Sequence, residues 1–254
     1  ADVIFHTQTN ERLRITSGGD VSISSNGTVH GVSKLTILPA DRTSAFSASD
    51  GDTWHDVVLK QTGSAANNAV GIAFETSTSG YHKNAGTGIA AVKNGTNSDY
   101  GSDLAFITRG QSAAATEKVR IDTGGRLLVG TNTNRGLNGH DPQLQVTGTT
   151  YSNSTVSIVN NANDATGSYL FFAKQRSGAV GGSTVVNDGD IIGELRFNAG
   201  DGTDLDSLSC RIIASIDDTP GGNDVPGRLE FYTTSNGQSS STERLRIDSR
   251  GDFI

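Results

Sequence analysis

Apolar residues come in short runs along this chain, three to six residues long, and the runs stop at NG, DG, GG, SG and PG dipeptides. Apolar and polar positions alternate within the runs. Alternation with period two, closed by turn-forming residues, predicts half-buried strands joined by hairpins. No stretch holds a helical period for more than a turn or two. The pattern also repeats. NERLRITSGGDVSI at 10–23 returns as TEKVRIDTGGRLLVG at 116–130 and as TERLRIDSRGDFI at 242–254, with the leading glutamates 106 and 126 residues apart. Another alternating run with a polar turn precedes each copy: DVIFHTQT, SDLAFITRGQSAAA and GRLEFYTTSNGQSSS. GIAFETSTSG echoes ELRFNAGDGT, and KLTIL at 34–38 echoes QLQVTG at 143–148. Such a period implies units that stack in one dimension.

Each copy reads as a β-hairpin with one buried face. Strict alternation places Glu11, Leu13 and Ile15 on one face of a strand and Arg12 and Arg14 on the other. It places Glu117, Val119 and Ile121 against Lys118 and Arg120, and Glu243, Leu245 and Ile247 against Arg244 and Arg246. A glycine turn follows, at Gly18-Gly19, Gly124-Gly125 and Gly251, because glycine supplies the positive φ that a tight hairpin or bulge requires. The structural motif is therefore Glu11, Arg12, Arg14 and Gly19; Glu117, Arg120 and Gly125; Glu243, Arg244, Arg246 and Gly251. The basic residues could bind sulfated or phosphorylated glycans. Their recurrence at a fixed structural place favours cross-strand ion pairs or contact with a neighbouring subunit, with Asp122 and Asp248 as partners on the same face.

The repeat divides the chain into the C-terminal part of a preceding unit at 1–31, a complete unit at 32–140, and a second unit at 141–254 that stops within its final hairpin. The segment 130–142, GTNTNRGLNGHDP, is the most linker-like. Because ADVIFH and RGDFI both fall inside the pattern, the two ends read as cuts through a longer polypeptide.

Composition narrows the class. At 33% hydrophobic and 6% aromatic residues, the chain can support several thin cores but not one large one. The 32 glycines show no three-residue period and there are four prolines, so it is not collagen. A net charge of −7 disfavours nucleic acid and anionic membranes as partners. No apolar stretch approaches the length that spans a membrane. The single cysteine, Cys210, lies in the apolar run LSCRIIASI and reads as a small buried side chain with no disulfide role.

Several short motifs carry residue types that could do sharper chemistry. GTGIAA at 86–91 has the spacing of a dinucleotide fingerprint, but KNGTNSDYG follows where a helix is needed, so it reads as a turn entering a strand. His6, His30, His55, His82 and His140 are far apart, without zinc-ligand spacing. Asp50, Asp52 and Asp56, and Asp201, Asp204 and Asp206, are acidic clusters that lack the calcium-loop spacing and read as solvated turns. Trp54, in WHD at 54–56, reads as a core or interface anchor. RGD at 250–252 occupies the turn of the repeated hairpin. No catalytic, cofactor-binding or metal residue is assigned, and no cofactor is expected.

The run at 189–253, with its GxIxF-type strand and DG turn, ASIDDTPGGNDVPGRLEFYTT and TERLRIDxxG, resembles a repeat of phage tail-fibre-like structural proteins. LLVGTNT at 127–133 resembles the VGIGT-like strand that follows the hairpin in that family, and QLQV at 143–146 its next strand. The likeness is specific over 189–254, good over 101–148 and loose elsewhere. It implies an all-β, parallel homotrimeric fibre of small sandwich- or prism-like repeats on the virion. Such a shaft would join other fibre or virion proteins and position a tip that binds a host receptor or glycan outside these residues. The family often carries a C-terminal chaperone that trimerises the fibre, and no such module is recognised in this sequence. Two other classes stay open. A secreted adhesin or extracellular filament would be built from similar repeats, and a polysaccharide-degrading tailspike would carry paired carboxylates.

Overall fold

In the computed structural model, residues 2–8, 10–19, 21–24, 35–38, 41–76, 86–95 and 101–254 are described. They form an all-β chain of three sheets. The first holds β1 (Val3–Thr7), β2 (Asn10–Ile15), β3 (Val21–Ser24) and β4 (Leu35–Leu38). The second holds β5 (Ala69–Phe74), β6 (Thr87–Lys93), β7 (Ser102–Arg109), β8 (Ala115–Ile121), β9 (Leu127–Val129) and β10 (Leu144–Val146). The third holds β11 (Ile191–Ala199), β12 (Ser207–Ile216), β13 (Gly227–Thr234) and β14 (Ser241–Ile247). Strand order follows the sequence in every sheet, and the pairs are antiparallel except β3 with β4 and β9 with β10. Among the described residues, helix is confined to single turns at Gly51–Thr53 and Tyr151–Asn153.

The two parallel pairs cross the unit boundaries expected at 31/32 and 140/141, so β4 and β10 close the sheet of the preceding repeat. The segment expected to be a linker is held by side-chain hydrogen bonds around buried Gln145. Gln145 Oε1 accepts from the Arg135 amide at 3.0 Å, and its Nε2 donates to the Pro142 carbonyl at 3.2 Å and to Asn134. Such bonds satisfy backbone groups that a strand ladder does not reach.

Each sheet has two unlike faces. In the second sheet, one in-register row is Ile72, Ile89, Phe106, Val119, Val129 and Val146, and the next is Val70, Ala91, Leu104, Ile121, Leu127 and Leu144. Both rows lie on the same face, since side chains alternate along each strand. The opposite face carries Asp103, Ala105, Arg120, Leu128 and Gln145, all buried. The third sheet repeats the design, with Leu195, Ile212, Phe231 and Leu245 in one row and Glu194, Ile213, Glu230 and Arg246 on the reverse. In the first sheet the apolar row is Phe5, Leu13, Ile23 and Ile37.

The principal contacts between strands run within each sheet, so each is a single layer in one chain. The apolar faces therefore remain open. Phe5 is 55% exposed, Ile72 52%, Leu104 41%, Leu144 57% and Phe197 51%.

Candidate functional site

The repeated motif converges on an arginine–carboxylate cluster, one per sheet, on the face away from the apolar rows. Its geometry departs from strict alternation. In β2, Leu13 pairs with Phe5 and Glu11 with His6, so Arg12 is an extra residue with no opposite number. Lys118 in β8 and Arg244 in β14 are extra in the same way. A β-bulge of this kind lets two residues oppose one and turns the preceding residue to the other face. Glu11, Glu117 and Glu243 thus leave the apolar face, where a charge would be costly, and join Arg14, Arg120 and Arg246. The expected pairing of Arg12 with Arg14, and of Lys118 with Arg120, on one face is corrected accordingly. Arg12 and Arg244 instead reach across their bulges to Thr7 and Thr233 at 2.7 and 2.9 Å.

The ion pairs follow. Arg14 Nε and Nη2 donate to Glu11 at 2.7 and 2.6 Å, and Arg120 donates to Glu117 at the same two distances. Arg246 grips Glu243 at 3.0 and 2.8 Å. Such fork-to-fork pairs are the stronger kind of charged hydrogen bond. A second carboxylate completes each cluster: Asp2 meets Arg14 at 2.6 Å and Asp103 meets Arg120 at 2.6 Å. The other oxygen of each accepts from the following turn, from the Ser17 amide at 2.9 Å and the Thr123 amide at 3.0 Å.

The third sheet surrounds its arginine with carboxylates differently. Where β7 has Asp103 and Ala105, β13 has Arg228 and Glu230, each two places apart in matching register. Glu230 receives Arg246 at 3.1 Å, Arg228 at 2.9 Å and the Ser215 hydroxyl at 2.9 Å. Asp217 takes over the turn, accepting from the Ser249 amide at 2.8 Å and from Arg228 at 3.2 Å. Asp2, Asp103, Asp217 and Glu230 were not singled out from the sequence, though the change from DLAF to RLEF between copies carries the signal.

Asp122 and Asp248 do not serve the strand arginines as expected. Asp122 accepts from the Gly124 and Arg126 amides at 2.9 and 3.0 Å and from Arg126 Nε at 2.7 Å. Asp248 likewise holds the Arg250 and Asp252 amides at 2.9 Å each, with Arg250 Nη2 at 2.8 Å. Both carboxylates are spent shaping the glycine turn. Within that turn Gly19, Gly125 and Gly251 adopt φ of 84°, 76° and 87°, the left-handed region open to glycine.

The Glu11 bond raises the Arg14 pKa and the Glu117 bond raises that of Arg120, each well above the usual range. The Ser17 amide, and then Arg14, hold Asp2 below the usual carboxylate range, and Arg246 does the same for Glu243.

The remaining candidates do not converge on chemistry. Trp54 is 48% exposed and meets His55 edge-on at 4.3 Å, so it enters no core of its own chain. Asp56 pairs with Arg42, and Asp50 caps the turn at Gly51–Thr53. Asp201 accepts from the Thr203 and Asp204 amides, and Asp206 from the Asn138 amide. Among the described residues no group of three His, Cys, Asp or Glu lies where it could hold a metal ion. His30 and His82 lie outside the described residues. Cys210 is half-buried on β12 rather than fully buried, because its row faces the open apolar side. A cleft lined by Leu137, His140, Pro142, Glu194, Arg196 and Asn198 contains one carboxylate. Burial pushes Glu194 upward, but Arg196 and Arg211 overcome this and hold it below its usual range.

No family model matches the chain, and no curated protein matches it in sequence. Solved structures do. The carboxy-terminal domain of the bacteriophage T5 L-shaped tail fibre superposes with a TM-score of 0.58 at 13% identity, over 79% of this chain and 82% of that one. The same domain solved with its intramolecular chaperone domain gives a TM-score of 0.62 at 12% identity, over 83% of this chain and 62% of that one. The chain therefore has the all-β fold of a phage tail-fibre domain.

Proposed function

We propose that this chain is a structural shaft segment of a virion fibre, a spacer without turnover, that assembles as a parallel homotrimer. The observation that carries the proposal is the open apolar face on three successive sheets, each backed by an ion-paired face. The chain exposes 18355 Å², whereas a compact monomer of its mass would expose about 10,600 Å². Three copies arranged around an axis would bury their apolar faces together and close the assembly without loose ends. The shaft would join other virion proteins and position a tip that engages a host receptor or glycan. The likeness to a tail-fibre domain supports this role.

The ionic clusters support a scaffold over a catalyst. Glycoside hydrolysis needs a carboxylic acid with a raised pKa beside a second carboxylate. Among the described residues, every carboxylate with a displaced pKa is displaced downward, as at Asp2, Glu11, Asp190, Glu194 and Asp248. Light scattering on the purified chain tests the assembly. The expected mass is three times the 26.4 kDa chain, and a folded species at one chain mass would overturn the proposal.

A further inference from the structure

The region between β10 and β11 holds most of the residues by which the third copy of the motif is more widely spaced than the second. Part of it is a strand in shape but not in pairing. Residues 155–159 and 167–174 run without regular structure, and no main-chain N–H or C=O within them has a hydrogen-bond partner among the described residues. Yet Tyr169 and Phe171 project to the same side and stack at 5.5 Å with 22° between their rings, as residues two apart do on an extended chain.

Both sides of this segment are apolar. Tyr169 and Phe171 are 65% and 82% exposed, and Leu170 and Phe172, on the other side, are 67% and 50% exposed. Val156 and Ile158 add a second apolar pair at 66% and 56%. A strand apolar on both sides is the kind that lies inside an assembly, covered from two directions. Among the described residues of the same chain, nothing covers these side chains enough to leave any of them less than half exposed.

The segment is not a loose tail. At its start, Ser154 Oγ donates to the Thr150 carbonyl at 2.8 Å. Beyond its end, Arg176 grips Asp190 through two bonds of 2.6 Å. Between these anchors Phe172 lies against Gly193 of β11, where an added Cβ would stand 2.6 Å from the phenylalanine Cβ. Gly193 belongs to the apolar row with Ala214, Leu229 and Ile247, so the segment borders the face already proposed to meet other copies.

We infer that residues 155–174 form intersubunit β-structure, with their main chain hydrogen-bonded to the equivalent region of neighbouring copies of this chain. The inference rests on the trimer reading above and adds which segment interlocks. Area favours copies of this chain as the occupant. Each copy exposes about 7,700 Å² beyond a compact monomer of its mass, several times the ~800 Å² per partner that a standard interface buries. Pairing among copies would satisfy the free amides and carbonyls and cover both apolar sides at once.

Hydrogen exchange read by mass spectrometry, with the mass of the same sample measured by light scattering, tests this. Amides of 155–159 and 167–174 should exchange on the order of a hundredfold or more slower than in a free peptide of the same sequence. Phe171→Asp should remove that protection, while Val180→Asp, at a fully exposed position outside the segment, should leave it. A trimer whose 155–174 amides exchange at the peptide rate would overturn the inference and leave the trimer reading standing. A folded single chain would overturn both.

Discussion

The exchange of charges between the second and third sheets can be tested by transplanting it. Asp103→Arg places in β7 the residue type that β13 carries at Arg228. It removes the 2.6 Å pair with Arg120, whose side chain is 10% exposed against 8% for Asp103, and sets two guanidinium groups face to face. Removing one partner of a buried pair costs about 3–5 kcal/mol, and the Thr123 amide loses an acceptor worth about 1 kcal/mol. Residual exposure of Glu117 lets water soften the effect, so the expected loss is about 4 kcal/mol. Ala105→Glu alone should also destabilise, because Ala105 is 1% exposed and a third carboxylate would crowd Asp103 and Glu117. The double variant Asp103→Arg/Ala105→Glu should recover about 2 kcal/mol over Asp103→Arg, a coupling of the size seen between contacting residues. Adding Asn94→Asp, at the place matching Asp217, should restore the turn acceptor and about 1 kcal/mol more. Urea unfolding followed by circular dichroism, at one fixed chain concentration, measures all four. A double variant no more stable than Asp103→Arg would refute the claim that the third sheet is a compensated version of the second.

Gly125→Ala should lower stability by about 1–2 kcal/mol through its φ of 76° alone, since an added Cβ meets nothing within 4 Å, and Gly125→Asn should cost less; thermal unfolding compares them. Ser215→Ala should cost about 1–3 kcal/mol, because it strips a hydrogen bond from a Glu230 that is 4% exposed, and an unchanged unfolding midpoint would show that bond to be idle. Acid should weaken the fold. The lowered pKa values of Asp2 and Glu243 mean that the folded chain binds fewer protons than the unfolded one. Their stabilisation is complete above the ordinary values of 3.8 and 4.5 and is lost as pH falls through the lower folded values. Unfolding midpoints should therefore hold steady near neutrality and drop in that acid window, and a rise there would contradict the sign.

Strands, hairpins and the glycine turn were legible because each depends on local pattern: period two, then a residue free to take positive φ. The bulge was not, since ERLRI satisfies strict alternation on paper. Only the facing strand reveals that Arg12, Lys118 and Arg244 are supernumerary. The arginine partners were missed for a related reason. Asp103 lies on the preceding strand, so its meeting with Arg120 requires the register as well as the strands. Asp122 and Asp248 looked available because they sit nearer in sequence, but turn amides claim them first. KLTIL and QLQV were recognised as echoes, yet their place in the preceding sheet depends on parallel pairing that no hairpin signal announces.

The swap in the third sheet also bears on what the clusters are for. A site that recognises an anionic glycan must present its cations in one geometry, because the ligand's groups are fixed. Here the second sheet centres on one arginine held by two carboxylates, whereas the third joins two arginines to Glu230, Asp217 and Glu243. Charge balance and the tie to the turn amide survive the change, while the arrangement of positive charge does not. Those are the properties a hairpin needs to hold its bulge and turn in register. The arginines of the ionic face are thereby held by carboxylates of their own chain, whereas the apolar rows on the opposite face stay exposed.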